Sequence, residues 1–235
     1  MTRILLLDTA TRSATLVLGN TSNHLVVRSD SSERNSRDLM ALVREAFSTV
    51  GGLAATPIDA VGFNRGPGSY TGSRLAASVV QGIAYVKGCP VIELNTLELL
   101  YFSGLNALGI NRAETVDRYP ALVAVESKVG EYFWTVFDDC KQTSDPRFVV
   151  GDADALLASC QANKVALFMN ASMQSHERLR CLSQVAWLEP RIELALGVAE
   201  RRLKQGDVID ALHIEPLYGQ NNIGWLTLAE QRAQQ

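Results

Sequence analysis

Ile58-Asp59-Ala60-Val61-Gly62-Phe63-Asn64-Arg65-Gly66-Pro67-Gly68-Ser69-Tyr70-Thr71-Gly72 is the stretch that decides the fold. An apolar run leads into a turn with three glycines and a proline. A long apolar segment from Ser73 to Lys87 follows, breaks at Gly88-Cys89-Pro90 and resumes as Val91-Ile92-Glu93-Leu94. The order is strand, glycine loop, helix, strand: one βαβ crossover. Gly66, Gly68 and Gly72 permit positive φ or close backbone approach, and Pro67 fixes a turn. Ser69 and Thr71 suit the N-cap of the helix. A glycine loop at a helix N-terminus can hold an anion, which makes Gly68, Ser69 and Thr71 candidate phosphate contacts. The phosphate fingerprints fail, however. The Walker pattern ends in Gly-Lys-Ser/Thr, where this chain has Gly72-Ser73-Arg74. The dinucleotide pattern wants its third glycine at Thr71. A phosphate loop and a purely structural turn with a capped helix both stay open.

The helix carries more information. Leu75, Ala76, Ala77, Val79, Val80, Ile83, Ala84 and Val86 cover most of its circumference, and Arg74, Ser78, Gln81 and Tyr85 form one narrow polar stripe. A helix apolar nearly all round is buried nearly all round. Either it is a central core helix, or one side is covered by another protein. Arg37 to Val50 shows a second helical period, Leu39, Leu42, Val43, Ala46 and Phe47, which Met40 and Ala41 widen beyond a single stripe. Gly51-Gly52 ends it. These two helices are the candidates for an external contact surface.

Arg65-Gly66-Pro67-Gly68-Ser69-Tyr70-Thr71-Gly72, the apolar helix and Pro90-Val91 through Asn95-Thr96-Leu97 together resemble the signature of the bacterial TsaB family, also called YeaZ. Glu215-Pro216-Leu217-Tyr218-Gly219-Gln220-Asn221-Asn222 resembles the family's C-terminal segment, with Gln220 where an Arg is frequent. The resemblance implies an α/β protein with a two-lobed actin-like/Hsp70-like (ASKHA) fold of duplicated ββ(β)αβα lobes. It implies a first lobe of 1–105 plus part of 205–235, and a second, smaller lobe of 106–204. It further implies a non-catalytic scaffold for the complex that adds threonylcarbamoyl to N6 of adenosine 37 in tRNAs reading ANN codons. The partners would be a TsaD-like catalytic subunit and a TsaE-like ATPase, with tRNA met through the complex and a homodimer when the chain is alone. The interface would run over Leu39, Met40, Val43 and Phe47 on one helix and Arg74, Leu75, Ser78, Val79, Gly82 and Ile83 on the other. The chain would need no cofactor by itself, with ATP or ADP binding only in the complex.

Taken in order, Ile4 to Asp8, Ser13 to Leu18 and His24 to Arg28 form a three-strand meander. Asp8-Thr9-Ala10-Thr11 occupies its first turn. In the actin-like superfamily an Asp before a glycine-containing turn handles phosphate and metal at this place, so Asp8 is a candidate contact. Here Ala10 replaces the glycine, and the plainer reading is an Asp8 that caps the turn. Asn95 starts a helix through Leu100, and the weakly patterned stretch Ser103 to Arg118 holds the lobe boundary. Ala121 to Val125 and Tyr132 to Phe137 form a hairpin around Glu126-Ser127-Lys128-Val129-Gly130. In the resembling family Asp, Ala and Arg usually precede the Gly-Glu there. Asp152 to Cys160 is a capped helix, Lys164 to Met169 a strand, Pro190 to Leu203 a helix and Leu226 to Gln234 a last short helix.

Composition narrows the function. Of 235 residues, 47% are hydrophobic and 20% charged, as in globular proteins. No apolar run reaches membrane-span length, so no membrane partner is expected. Ile4-Leu5-Leu6-Leu7 is too short for a signal peptide, which predicts a cytoplasmic protein. A net charge of −3 places any RNA contact locally or on a partner. Cys89, Cys140, Cys160 and Cys181 lack paired spacing and read as buried free thiols. His24, His176 and His213 stand far apart, which excludes a helical His-x-x-x-His metal pair. The alternative to a scaffold is an enzyme acting by itself, an actin-like ATPase or phosphotransferase or a peptidase, with Asp8 and the glycine loop around phosphate.

Overall fold

The computed structural model describes residues 2–29, 36–110, 119–128, 130–138 and 147–217, and at 36–38, 127 and 128 the backbone alone. The expectations for Cys140, for Tyr218 onward with its last helix, and for the side chains of Ser127 and Lys128 lie outside the described residues.

Two five-stranded sheets form the frame. In the first, β1 (Ile4–Asp8), β2 (Ala14–Gly19) and β3 (His24–Ser29) make the expected antiparallel meander. On the other side of β1, β4 (Ala60–Asn64) runs parallel to it, and β5 (Val91–Leu94) parallel to β4. In the second sheet, β6 (Ala121–Lys128), β7 (Glu131–Phe137) and β8 (Val149–Gly151) form a meander. β9 (Ala166–Asn170) lies parallel to β6, and β10 (Val185–Leu188) parallel to β9. The strand orders, β3-β2-β1-β4-β5 and β8-β7-β6-β9-β10, are the same arrangement twice. This is the duplicated, two-lobed α/β architecture of the actin-like fold.

Helices make the layers around the sheets. The outer side of the first sheet carries α1 (Ser36–Ser48) and α2 (Tyr70–Lys87). Between the sheets lie α3 (Thr96–Ala107) and α6 (Leu196–Gln205). The outer side of the second sheet carries α4 (Ala153–Ala162) and the single turn α5 (Glu177–Arg180). This layering explains the unbroken run Ile4-Leu5-Leu6-Leu7. Leu5 and Leu7 pack under α1 and α2, while Ile4 and Leu6 face the core between the sheets. β6 divides in the same way, with Val123 and Val125 in the shared core and Leu122 and Ala124 under α4.

Helix α3 is longer than the sequence pattern predicts. Asn95 caps it as expected, accepting from the Glu98 N–H at 2.8 Å, but it runs to Ala107 rather than Leu100. Thr96 to Leu105 are all buried, so no polar face marks its course. It carries one buried ion pair. Glu98 accepts from both Arg202 terminal nitrogens, at 2.7 and 3.2 Å, and Arg202 also donates to the Glu93 carbonyl at 2.8 Å. The two side chains are 3% and 4% exposed, so this pair ties α6 to α3 in a low-dielectric setting.

Other elements differ from their predicted bounds for local reasons. Pro190 does not start a helix. A 3-10 turn at Ile192–Ala195 precedes α6, and its apolar residues Ile192 and Ala195 are buried as the predicted face requires. The second hairpin keeps strand geometry through Lys128, with a register shift between Glu126 and Lys128. β8, β10 and α5 are too short to show a period. Cys89 and Cys160 are buried free thiols, and burial pushes the Cys160 thiol up to about 11. Cys181 is exposed, contrary to expectation, because it follows the surface turn α5.

Candidate functional site

The β1–β2 turn and the glycine loop meet at the C-terminal ends of the first sheet's parallel strands. Asp8 is fully buried. Its carboxylate accepts from the Ala10 N–H at 2.9 Å, the Thr11 N–H at 3.3 Å, the Thr11 hydroxyl at 2.7 Å and Asn64 Nδ2 at 3.1 Å. Asp8 therefore caps its own turn, with every donor supplied by this chain. Burial pushes its pKa above 3.8, against the lowering by those hydrogen bonds.

The glycine loop is shaped by that turn. Ser69 N–H donates to the Ala10 carbonyl at 2.8 Å, and the Thr9 hydroxyl donates to the Gly72 carbonyl at 2.6 Å. A Cβ on Gly68 would collide with the Ala10 carbonyl oxygen, and one on Gly72 with that of Thr9. These two glycines are needed for close approach; of the three, Gly66 alone has positive φ, at 110°. The side of the loop toward β1 thus faces carbonyl oxygens, which repel an anion. Ser69 is the N-cap, accepting from the Gly72 N–H at 3.2 Å, while Thr71 lies inside the first turn. Pro67, Gly68 and Ser69 leave one side open, onto a cleft of about 340 Å³ between the sheets, walled opposite by Val125, Glu126 and Asn170. The C-terminal crossover, residues 206–217, passes beside the loop, where Leu217 N–H donates to the Arg65 carbonyl at 2.8 Å.

The two helix faces separate in the structure. Leu39, Val43 and Phe47 on α1 and Ile83 on α2 are buried in the chain's own core under the first sheet. The structure places these four against β1 to β4 rather than on an exposed face. Met40 is 44% exposed beyond that core. On α2, Arg74, Ser78 and Gly82 are exposed, and Leu75 and Val79 are half-buried at the core's edge. Arg74 stacks over the Tyr70 ring at 3.7 Å. A Cβ on Gly82 would meet nothing within 4 Å. The sequence reading missed Tyr85 and Val86, which are 70% and 81% exposed, and Leu212 on the crossover beside them, at 68%. Val86 follows Leu75, Val79 and Gly82 at helical spacing, which was the available signal.

Comparison with known proteins places this arrangement. The family model described as "TsaD: tRNA N6-adenosine threonylcarbamoyltransferase" matches residues 21–159, more than half of the chain. A protein of Haemophilus influenzae called "tRNA threonylcarbamoyladenosine biosynthesis protein TsaB" is 27% identical over 96% of both chains. Its Escherichia coli namesake is 24% identical over 96% of this chain and 98% of its own. The chain belongs to this family, in its TsaB (YeaZ) branch. YeaZ from Pseudomonas aeruginosa superposes with a TM-score of 0.71 at 23% identity, covering 93% of this chain and all of its own. A second solved structure, titled as an uncharacterized protein with similarity to peptidase YeaZ from the same organism, gives 0.72 at 25% identity, over 94% of this chain and all of its own.

For a TsaB-type chain the hairpin turn departs from the familiar pattern at Glu126, whose carboxylate accepts from the Gly130 N–H at 3.4 Å. Among the described residues no three His, Cys, Asp or Glu side chains group as a metal site requires. No described helix is long and apolar enough to cross a membrane.

Proposed function

We propose that this chain is the non-catalytic partner in the complex that adds threonylcarbamoyl to N6 of adenosine in tRNA. The observation that carries the reading is its end-to-end correspondence with proteins called TsaB, over 96% of the chain in each case. In this reading a TsaD-like catalytic subunit docks on the exposed face of α2, with Met40 of α1 at its edge. Leu75, Val79, Gly82 and Val86 offer an uncharged stripe there, wide enough for a partner helix. The same face closes a homodimer when the catalytic subunit is absent. A TsaE-like ATPase acts on the pair, nucleotide binds only in the complex, and tRNA is met through the partner. The site of action is the cytoplasm. The division into 1–105 with part of 205–235, and 106–204, is supported by the return of the crossover to the first sheet, where Ile209 and Val91 exchange two backbone hydrogen bonds of 2.9 Å.

The contribution to the reaction is conformational. A partner that exchanges between active and inactive forms is shifted toward the one that this chain binds better. No group of this chain needs to touch the reacting atoms, which accords with an Asp8 whose carboxylate is engaged by its own turn and by Asn64.

The experiment is tRNA modification by the purified catalytic subunit and ATPase, with and without this chain. Modification should require the chain, and the chain alone should give none; full activity in its absence would overturn the proposal. Leu75→Asp and Val79→Asp should abolish association while the variants stay folded, because both side chains lie at the edge of the core rather than within it.

A further inference from the structure

Val86, Tyr85 and Leu212 are the most exposed large apolar side chains among the described residues. They gather at one end of α2. Tyr85 and Leu212 line a groove of about 440 Å³ there, together with Cys89, Pro90 and Ile209. Val86 ends the uncharged stripe that runs back through Gly82 and Val79 to Leu75. Apolar surface gathered in this way is unfavourable in water and marks a place for a cover. The crossover shows which cover is within reach. It runs back along the flank of α2, where the Ala211 carbonyl accepts from Gln81 Nε2 at 3.0 Å. At its end, a Cβ on Gly66 would meet both the Leu217 carbonyl oxygen, at 3.3 Å, and the Ser73 hydroxyl, at 3.7 Å. The described residues therefore end beside the start of α2, a helix rise of about 18 Å from Tyr85.

The sequence after Leu217 suits that face. Gly219, Asn221 and Asn222 are turn-forming residues that can reverse the chain's direction. Ile223-Gly224-Trp225-Leu226-Thr227-Leu228-Ala229 comes next, largely apolar and without charge. Extended chain covers about 27 Å between Leu217 and Trp225, more than the span to Tyr85. The competing destination is the cleft on the other side of the glycine loop. Its wall carries Arg12, Glu126 and Glu189, which an apolar segment would strip of water without pairing. We propose that the chain's own C-terminal segment covers the outer face of α2 in the monomer, with Ile223 against Val79 and Trp225 in the groove of Tyr85 and Leu212. The segment is then a competitor in cis. A second copy or a catalytic subunit must displace it before docking on α2. That consequence rests on the function proposed above, whereas the cover itself does not.

The test is methyl NMR of the whole chain at a concentration where it sediments as a monomer. Nuclear Overhauser contacts should join the Trp225 ring to the methyls of Leu212 and Val86. A neutral gadolinium chelate should broaden these methyls more in Trp225→Ala than in wild type, while the buried Leu5 and Val61 methyls stay sharp in both. Absence of the contacts, or equal broadening in the two proteins, would overturn the proposal. Contacts seen only at concentrations where the chain sediments as a dimer would make a second copy the cover, and would overturn it too. Trp225→Ala should also bind the catalytic subunit about tenfold more tightly, as expected for a face covered about nine-tenths of the time. The outcome is separable from the proposed function. If the contacts are present and the catalytic subunit binds neither protein, the functional reading fails and the cover stands. If it binds both equally, the subunit docks away from α2, and the competition fails while the cover stands.

Discussion

At the scale of single residues, Asp8 and the glycines of the loop solve one packing problem together. The β1–β2 turn must lie against the start of α2, and Gly68 and Gly72 have no side chain because the Thr9 and Ala10 carbonyls stand where a Cβ would go. Gly72→Ala should cost about 3 kcal/mol, since backbone rather than a flexible side chain must yield; a denaturant titration checks it. Asp8 gives a pH signature. Its folded pKa lies above 3.8, so the native state binds the proton more tightly than the unfolded chain. Its contribution to stability therefore falls as pH rises from about 3.8 through the higher folded value. Asp8→Asn removes that slope. The stability difference between wild type and Asp8→Asn should move in favour of the variant as pH rises through this window. Urea unfolding at several pH values reads it, and a difference independent of pH would show an unperturbed carboxyl.

At the scale of elements, α2 has one face covered by the first sheet and one face exposed. Ser69 caps its start, Gly88 in the left-handed conformation closes its end, and Ala76, Val80 and Ile83 fill the core beneath it. Its outer face contains a glycine that the chain's own fold does not use. Gly82→Ala should raise stability by about 1 kcal/mol, because helix propensity improves and no atom lies near the new methyl. Thermal or denaturant unfolding of the isolated chain measures this. A loss of stability would mean that the methyl meets something on that face. By contrast α3 has no free face, and Gly104 lets the Phe168 ring lie directly on it. The two helices look alike in composition and differ in what covers them.

At the scale of the whole molecule, the two sheets do not stand apart. One core runs from Ile4 and Leu6 through α3 and α6 to Val123 and Phe133. Unfolding should be a single cooperative transition, with the fluorescence of Trp134 and Trp187 in the second sheet tracking far-UV circular dichroism of the whole chain. Separate midpoints would show two independent lobes. The buried Glu98–Arg202 pair joins the layers, so Arg202→Ala should destabilise by about 3–5 kcal/mol by stranding a carboxylate in the interior. Equilibrium unfolding near neutral pH is the check. Layers that share one core hold the outer face in a fixed geometry, which the function proposed above requires.

Much of this was written in the sequence. The period-2 and period-3.6 patterns marked β1 to β5, α1 and α2, and the caps at Ser69, Asn95 and Asp152, because these depend on neighbours within a few residues. The glycine loop and its flanks also carried the family. Helix α3 beyond Leu100 was not legible, since burial on every side erases the alternation that pattern reading needs. Nor could period alone say which apolar residues of α1 and α2 face inward. Leu39, Val43, Phe47 and Ile83 are core, and Val86 is surface, because β1 to β4 lie on one side and no described residue covers the other. The delivery of the C-terminal segment to the start of α2 was invisible for the same reason. Leu217 and Ser73 lie far apart in the chain, and their nearness exists only once the crossover has returned to the first sheet. The sequence determined the local elements and their order; tertiary packing decided which surfaces remain for a partner or a ligand.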